Sequence, residues 1–234
     1  WYTAVGSGGV WKTTNAGTTW TPIFDDQPVY SIGDVTIAPS NSNIIWVGTG
    51  ENNGGRHISF GDGVYKSVDG GQTWKNMGLS KSEHVSDIII HPTNPDIVWV
   101  SAQGPLWSGG GERGLYKTTD GGETWKQVLT PADKWTGVTS LLIDPRNPDK
   151  LYAATWARQR SIGAYVGTNE GAGIHTSNDG GETWTELKTG LPEGNMGKIG
   201  MAISPMNPDV IYATIETDNR GGGFYRSADQ GASW

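Results

Sequence analysis

Four segments of the chain each combine arginine with glutamate, and two of them add Trp or Tyr side chains, residue types that together could bind or cleave a polar ligand. They run over residues 50–57, 103–113, 156–170 and 216–220. Arginine presents a planar guanidinium that matches a carboxylate or a phosphate, and Trp or Tyr rings can stack on a sugar or on another ring. The candidate binding residues are Glu51, Arg56, Trp107, Glu112, Arg113, Trp156, Arg158, Arg160, Tyr165, Glu216 and Arg220.

These residue types support two interpretations of the arginines. In one, Arg and Glu side chains of neighbouring loops pair with each other and order the rim. In the other, some arginines converge on an anionic ligand, such as a peptide carboxylate or an acidic glycan. Hydrolysis of a glycoside would also require two carboxylates about 5–9.5 Å apart, for which the loops offer Glu51, Glu112, Glu170, Glu216 and Asp218.

Several other chemistries lack their sequence patterns. The four histidines are scattered and cysteine is absent, so we predict neither a metal site nor a cofactor. A net charge of −7 without any basic run argues against nucleic-acid binding. No apolar stretch approaches the roughly 18 residues that span a bilayer, so we predict no transmembrane segment.

A repeated eight-residue segment, Ser/Thr-x-Asp-x-Gly-x-Thr-Trp, separates these loops, and we call it the box turn. Its acid or amide can accept backbone N–H groups, its Gly tolerates positive φ, and its Trp packs where the next strand begins. The acids are therefore predicted to make turns rather than to catalyse or bind calcium, which prefers six to eight oxygens. The five copies place these residues at Asn15, Gly17, Trp20; Asp69, Gly71, Trp74; Asp120, Gly122, Trp125; Asp179, Gly181, Trp184; and Asp229, Gly231, Trp234.

A second motif, Pro-x-Asn-Pro-Asp, runs in phase with the box turn, for example at residues 92–96. Each period then contains four strands, like those expected near 87–90, 97–100 and 114–117, with the fourth beginning at Thr124-Trp125. Four strands per roughly 50 residues is typical of a propeller blade. We therefore predict an all-β propeller of four-stranded antiparallel blades, with a box turn between strands three and four.

Strand alternation assigns the connections to two faces. In a four-stranded meander, the turn between strands one and two and the turn between strands three and four lie at the same edge. The Pro-Asn turns and the box turns should therefore share one face. The long, variable loops that carry the candidate residues should share the other, which is where binding usually occurs.

The five box turns resemble the Asp-box, or bacterial neuraminidase, repeat of sialidases, xyloglucanase-like propellers, photosystem assembly factors and sortilin-type receptors. Residues 61–67 and 94–100 are similar to segments of large bacterial sortilin-like propeller proteins, which are often named glycosyl hydrolases. The resemblance covers essentially the whole chain. It implies a bacterial, extracytoplasmic protein, whether at the cell surface, secreted or periplasmic.

The repeat predicts a single propeller segment over residues 1–234, with about five blades represented. We expect blades at 33–79, 86–130 and 138–189, and partial blades at 9–24, where only strands three and four are present, and at 198–234. Because a propeller closes its ring to remove exposed edges, we interpret the chain as part of a longer one.

From the sequence we expect a non-catalytic, sortilin-like binding or scaffolding propeller that recognises a protein, a peptide or a glycan on its long-loop face. Other domains or subunits of a larger assembly are expected partners. The alternative is a sialidase-like or xyloglucanase-like glycoside hydrolase that uses loop carboxylates. The Arg-Ile-Pro segment expected of a sialidase is absent.

Overall fold

The chain is an all-β propeller, described here by a computed structural model over residues 1–234. Five antiparallel sheets follow one another along the chain, each of them a simple meander. The strands are β1 (Tyr2–Val5), β2 (Gly9–Lys12), β3 (Thr21–Pro22); β4 (Ile32–Ala38), β5 (Asn41–Thr49), β6 (Val64–Ser67), β7 (Lys75–Asn76); β8 (Val85–Ile90), β9 (Val98–Ala102), β10 (Gly114–Thr118), β11 (Lys126–Leu129); β12 (Thr136–Asp144), β13 (Asn147–Ala157), β16 (Gly173–Ser177), β17 (Thr185–Leu187); and β18 (Met196–Ile203), β19 (Ile211–Thr217), β20 (Gly223–Ser227). A separate hairpin, β14 (Gln159–Arg160) with β15 (Tyr165–Val166), lies in the loop after β13.

Apolar side chains pack between consecutive sheets, and each of the four interfaces has its own core cluster. Between the second and third sheets, for example, Trp46 and Val64 pack with Val85, Ile88 and Val100. In the three middle sheets, strands two and three are covered on both faces, which explains their continuous apolar runs. The hydrophobic core is therefore divided among the interfaces between blades.

Each box turn is held by its own side chains. In the third sheet, Asp120 accepts the backbone N–H of Thr124 at 2.9 Å and the Thr124 hydroxyl at 2.6 Å. The hydroxyl of Thr118 donates to Asp120 at 2.7 Å and accepts the N–H of Gly122 at 2.9 Å. These donors hold the pKa of the Asp120 carboxyl well below its usual range. In the first sheet Asn15 does the same, accepting the N–H of Thr19 at 2.9 Å.

A second contact, which we call the blade clasp, joins the strand-two aromatic of one blade to the box turn of the next. The Tyr2 hydroxyl donates to the Gly70 carbonyl at 3.2 Å, and the Trp99 indole donates to the Gly180 carbonyl at 3.0 Å. The Tyr152 hydroxyl donates to the Gln230 carbonyl at 3.1 Å. At the remaining interface the six-membered ring of Trp46 lies against a box-turn glycine, and Lys66, which lies over Trp46, donates to the Gly121 carbonyl at 2.9 Å.

The predicted division of the connections between two faces is confirmed. The box turns of the second to fifth blades each bond to the segment that joins strands one and two of their own blade. Gly121 N–H donates to the Asp96 carbonyl at 2.9 Å, and Gly180 N–H donates to the Asp149 carbonyl at 2.9 Å. The short turns consequently share one edge, and the long loops lie at the other.

Three details differ from the sequence-based prediction. The first sheet has three strands instead of two, because Tyr2–Val5 pairs with Gly9–Lys12. The fourth strand of the third sheet begins at Lys126, after the box-turn Trp rather than at it. The box-turn indoles are only half buried, and Trp20 is 38% exposed, because they cover the edge of an interface rather than its centre.

Two carboxylates connect the innermost strands of neighbouring blades. Asp34 on β4 accepts the N–H of Ile88 on β8 at 2.8 Å, and Asp87 on β8 accepts the N–H of Leu141 on β12 at 2.8 Å. Burial, together with the nearby charge of Asp34, raises the pKa of Asp87 to about 7. Each carboxyl therefore links two neighbouring blades, and its raised pKa keeps it protonated at a higher pH than an exposed Asp.

We predict that Gly122→Ala destabilises the fold more than Gly110→Ala. Both glycines have positive φ, at 99° and 83°. A Cβ at position 122 would lie 2.5 Å from Trp46 Cη2, whereas one at position 110 would have no atom within 4 Å. Overpacking of this kind costs about 1–3 kcal/mol beyond the backbone strain that both variants share. Urea unfolding of the two variants measures the difference, and equal losses would contradict the role given to the blade clasp.

We predict that Asp87→Asn stabilises the protein at pH 8 and flattens its pH dependence. The pKa of Asp87 is raised in the folded state, so folding retains a proton that the unfolded chain releases. The resulting stability is present at acidic pH and is lost as the pH rises towards about 7. Asparagine keeps an oxygen for the Leu141 N–H without carrying a charge. Thermal unfolding between pH 5 and pH 8 tests this, with exposed Asp26→Asn as the control, which should leave the wild-type slope in place.

Candidate functional site

On the long-loop face, residues 50–57 form a crossing loop that leaves the second sheet and reaches the fourth and fifth. The Asn52 side chain donates to the Thr139 hydroxyl at 3.0 Å. Gly54 lies against Tyr165, since a Cβ at this position would be 2.6 Å from the Tyr165 hydroxyl oxygen. The loop therefore spans the face from one blade to blades two and three positions further along.

Three cations hold three consecutive carbonyls of the crossing loop. Lys198 donates to the Asn52 carbonyl at 2.8 Å, Arg158 donates to the Asn53 carbonyl, and Arg160 donates to the Gly54 carbonyl at 2.8 Å. The Arg160 guanidinium also lies over the Tyr165 ring, 4.7 Å from its centroid. Charge-assisted hydrogen bonds such as these are stronger than neutral ones, so the loop is attached mainly through its backbone.

Arg113 holds the adjacent loop of the third blade in a similar way. Its guanidinium is buried and donates to the carbonyls of Gly110 at 2.8 Å, Trp135 at 2.8 Å and Ser108 at 3.1 Å, and also to those of Gln103 and Pro105. Arg56, at the end of the crossing loop, donates to the Ile162 carbonyl at 3.0 Å.

Backbone carbonyls thus replace the Arg–Glu pairs of the first interpretation. The ion pairs of the structure use no arginine except Arg146, which lies on the opposite face. The charged residues of a sequence do not reveal which backbone carbonyls an arginine will contact. Convergence of the remaining arginines on an anionic ligand stays a prediction.

The structure removes several predicted residues from the surface. Arg113, Arg158 and Trp156 are 3%, 0% and 2% exposed, so they are not free to touch a ligand as we expected. The Trp156 indole donates to the Gly167 carbonyl at 2.8 Å, beneath the crossing loop. Burial lowers the pKa of Arg158 to about 9 and that of Arg113 to about 10. These three buried side chains hold the loops of the long-loop face in place and are not part of its surface.

The other predicted residues lie on or near the surface. Trp107 and Tyr165 are 50% and 40% exposed, and Arg220 is exposed beside the fifth sheet. Glu51 accepts the Asn53 amide at 2.9 Å, and Glu112 accepts the Lys81 N–H at 2.7 Å. Glu216 accepts the Lys198 N–H at 3.4 Å. Burial raises the pKa of Tyr165, and the charge of Glu216 adds to that rise.

Glu83 and His84, in the connection between β7 and β8, were missed by the sequence analysis. Glu83 has a φ of 56° because its carbonyl accepts the Gly61 N–H at 2.7 Å. A Cβ at Gly50 would lie 1.8 Å from that carbonyl oxygen, so the crossing loop begins directly against Glu83. Burial raises the pKa of the Glu83 carboxyl, although the Arg113 and Arg158 charges oppose the shift. His84 is kept neutral, since burial lowers its pKa to about 3.

Two further aromatic side chains were also missed. Tyr30 and Phe60 are 59% and 68% exposed. They line a groove on the long-loop face together with Val29, Ile58 and Ser59. Our search considered only loops between strands two and three that carried arginine, and Tyr30 lies in a connection between blades. A count of aromatic residues outside the predicted strands would have found both. No group of three or more His, Cys, Asp or Glu side chains forms a possible metal site.

Comparison with known proteins gives two kinds of relative. The family model Sortilin-Vps10, described as sortilin, neurotensin receptor 3, matches residues 62–176. A xyloglucanase from a Paenibacillus species is 28% identical in an alignment of 176 residues that covers 69% of this chain and 15% of the relative. Xyloglucanase Xgh74A of Acetivibrio thermocellus is 23% identical in an alignment of 269 residues that covers 97% of this chain and 28% of the relative.

Solved structures confirm the propeller fold. An ancestral GH74 enzyme has a TM-score of 0.69 at 23% identity, covering 96% of this chain and 27% of that one. The GH74 enzyme of Niastella koreensis has a TM-score of 0.68 at 23% identity, covering 99% of this chain and 35% of that one. The chain spans about a quarter of the length of the curated relative that matches nearly all of it.

Our expectation of a non-catalytic binding or scaffolding propeller was wrong. The sequence relatives are named xyloglucanases, which are glycoside hydrolases, and this agrees with the alternative we had placed second. The error arose because the box turn predicts a hairpin and carries no information about the chemistry of the opposite face. The structure contains no helix with the length and apolar character that crossing a membrane requires.

We predict that Arg158→Met loosens the crossing loop, whereas Arg220→Met does not. Arg158 is fully buried and donates to the Asn53 and Gly104 carbonyls, while Arg220 is exposed. Without Arg158 those carbonyls lose a charged donor, a change that costs about 1.5–3 kcal/mol per bond. Hydrogen exchange should accelerate in residues 52–56 of the first variant only. Unchanged exchange there would mean that the loop is held by other contacts.

Proposed function

We propose that the chain is a propeller segment of a glycoside hydrolase that acts on xyloglucan or a closely related β-glucan. Support comes from the two sequence relatives described above, both of which are named xyloglucanases and one of which matches 97% of this chain. We also propose that the segment belongs to a longer Asp-box repeat protein, with the blades predicted above, and that this bacterial protein is extracytoplasmic. A polysaccharide substrate too large to enter a cell is consistent with that location.

Glycoside hydrolysis needs one carboxylic acid that stays protonated and one carboxylate that is ionised. We propose Glu83 as the proton donor. Its half-buried position raises the pKa of its carboxyl, and that shift is the physical property a general acid requires. The positive φ of Glu83 is a strained conformation of the kind that clusters at functional sites.

Glu51 is the second carboxylate of this proposal. It follows Gly50, whose backbone lies against the Glu83 carbonyl, so the start of the crossing loop lies beside the connection that carries Glu83. Glu51 is held by the Asn53 amide at 2.9 Å and lies on the long-loop face. In the proposed reaction it activates water while Glu83 protonates the leaving oxygen.

Exposed rings on the same face provide places for sugar units. Tyr30, Phe60, Trp107 and Tyr165 each expose at least 40% of their surface. The apolar face of a pyranose stacks on such rings, while polar side chains such as Arg56 can bind its hydroxyls. The proposed substrate path therefore follows the long-loop rim.

We predict that Glu83→Gln in the full-length protein lowers release of reducing ends from xyloglucan about 10²–10⁴-fold, the usual contribution of a general acid. The amide keeps the shape of the side chain but has no proton to transfer. Because the pKa of Glu83 is raised, wild-type activity should fall as the pH rises through that pKa. The variant should retain binding of the polysaccharide in affinity electrophoresis.

Glu123→Gln is the matched control, since Glu123 lies in a box turn of the opposite face and pairs only with exposed Lys75 at 2.8 Å. Equal activities of the two variants would remove Glu83 from the mechanism. Failure of the wild-type protein to release reducing ends from xyloglucan and from other β-glucans would overturn the proposed function itself.

A further inference from the structure

Asn53 and Gly54, in the middle of the crossing loop, form the one Asn-Gly pair of the chain. The Asn53 side chain makes an Asx turn, because its Oδ1 accepts the N–H of Gly55 at 2.8 Å. This hydrogen bond holds the side-chain carbonyl beside the backbone that follows it and polarises the carbon Cγ. The Gly54 N–H lies within the ring that this bond closes and donates to no protein atom. A free backbone nitrogen and a polarised carbonyl carbon are therefore held in one turn.

The Asp-Gly pairs of three box turns have the same spacing but lack both properties. The N–H groups of Gly70, Gly121 and Gly180 each donate to a backbone carbonyl at 2.9 Å. The carboxyls that precede them stay ionised, because hydrogen bonds from Thr side chains lower their pKa, and the carbon of a carboxylate is a poor electrophile. The crossing loop differs from these turns in combining a neutral amide with an unbonded glycine N–H.

We propose that Asn53 is a site of spontaneous deamidation and that Arg158 directs the product to isoaspartate. The Gly54 nitrogen attacks Asn53 Cγ and gives up its proton. The bond from Cγ to Nδ2 breaks, and the departing nitrogen takes up a proton and leaves as ammonia. The cyclic imide that results joins the Gly54 nitrogen to both carbonyl carbons of residue 53. Water then adds to one of these carbons and the bond from that carbon to nitrogen breaks, so one amide and one water become one carboxylate and one ammonium ion.

The position of Arg158 selects between the two carbons of the imide. Its guanidinium is 0% exposed and donates to the backbone carbonyl of Asn53. A charged donor at this oxygen polarises the backbone carbon and stabilises the oxyanion that forms when water adds there. Breaking the bond at that carbon leaves the chain connected through Cγ, which is isoaspartate, and leaves the new carboxylate against Arg158.

The product also supplies Arg158 with a partner that the unmodified chain does not provide. Arg158 takes part in none of the ion pairs, and its Nε has no hydrogen-bond partner. A buried charge without a partner is costly, so the isoaspartate carboxylate relieves an unfavourable feature of the folded protein. Both residues of the Asn-Gly pair are partly exposed, which gives water access to the imide.

The modification changes the crossing loop in two ways. Isoaspartate adds one methylene group to the backbone just before Gly54, whose carbonyl is bound by Arg160 at 2.8 Å. The Asn53 amide, which donates to Glu51 at 2.9 Å, is lost. An effect on hydrolysis rests on the proposed function of Glu51, whereas the modification itself does not depend on it.

The test incubates the full-length protein at pH 8 and follows peptides released by pepsin at acidic pH, where the reaction is slow. We expect a mass increase of about 1 Da at residue 53, the difference between an amide and an acid. Asn219 is the internal control, because it makes the same Asx turn with Gly221 at 2.8 Å but is followed by Arg220. Since glycine has no side chain to hinder the attack, residue 53 should react at least about tenfold faster than Asn219.

An unchanged mass at residue 53, or equal rates at the two positions, would overturn the proposal. Both readouts are peptide masses, so a protein that fails to hydrolyse xyloglucan can still pass this test.

Electron-transfer fragmentation, which separates isoaspartate from aspartate, tests the role of Arg158. The ratio of isoaspartate to aspartate at residue 53 should be at least about twofold higher in the folded protein than in urea, where the guanidinium no longer holds the carbonyl. Arg158→Met should lower the ratio to the value in urea, and the matched Arg220→Met should leave it unchanged. The same ratio with and without urea would show that Arg158 does not direct the product, even if the variant fails to fold.

Discussion

The contact between a strand-two aromatic and the box turn of the following blade is the interaction on which the rest of the structure depends. A four-stranded sheet of this size cannot bury its two faces alone. The clasp fixes how far one blade is rotated from the next, and each of the four interfaces then encloses its own apolar cluster. Glycine is required where the aromatic ring meets the turn, as Gly122 shows against Trp46. The acid therefore holds the box turn in one conformation. The clasp aromatic of the preceding blade packs against that turn or donates a hydrogen bond to its carbonyl.

A different principle organises the long-loop face. There the chain is irregular, and its carbonyls have no strand to pair with. Buried and half-buried cations donate hydrogen bonds to these carbonyls instead. Arg113 binds five carbonyls, and Arg158, Arg160 and Lys198 hold the crossing loop. Buried charge without an ionic partner is costly, yet a guanidinium that donates to several carbonyls regains much of that cost through hydrogen bonds. The Arg113 and Arg158 charges lower the pKa of the Glu83 carboxyl, but burial outweighs them and raises it.

These two principles differ in how well they can be inferred from sequence. The box turn is local, since an acid, a glycine and a hydroxyl within eight residues specify its conformation, and the strands, the all-β class and the sharing of faces follow from it. The candidate site is not local. Gly50 lies against the Glu83 carbonyl because a loop of the second blade begins beside a connection that leads into the third, and no spacing in the sequence reveals that. The same reason explains why Trp156 and Arg158 looked like surface residues, although the crossing loop covers them.

The prediction of function was limited in the same way as the prediction of the candidate site. The repeat favoured a binding propeller because it describes the scaffold, whereas the sequence relatives are hydrolases. By itself the sequence determined the hairpins and their order, because those choices depend on neighbours along the chain. Only the tertiary structure decided which arginines are buried, which rings face solvent and which loop lies against Glu83. These properties depend on contacts between segments as far apart as residues 52 and 198, and folding alone brings such segments within reach.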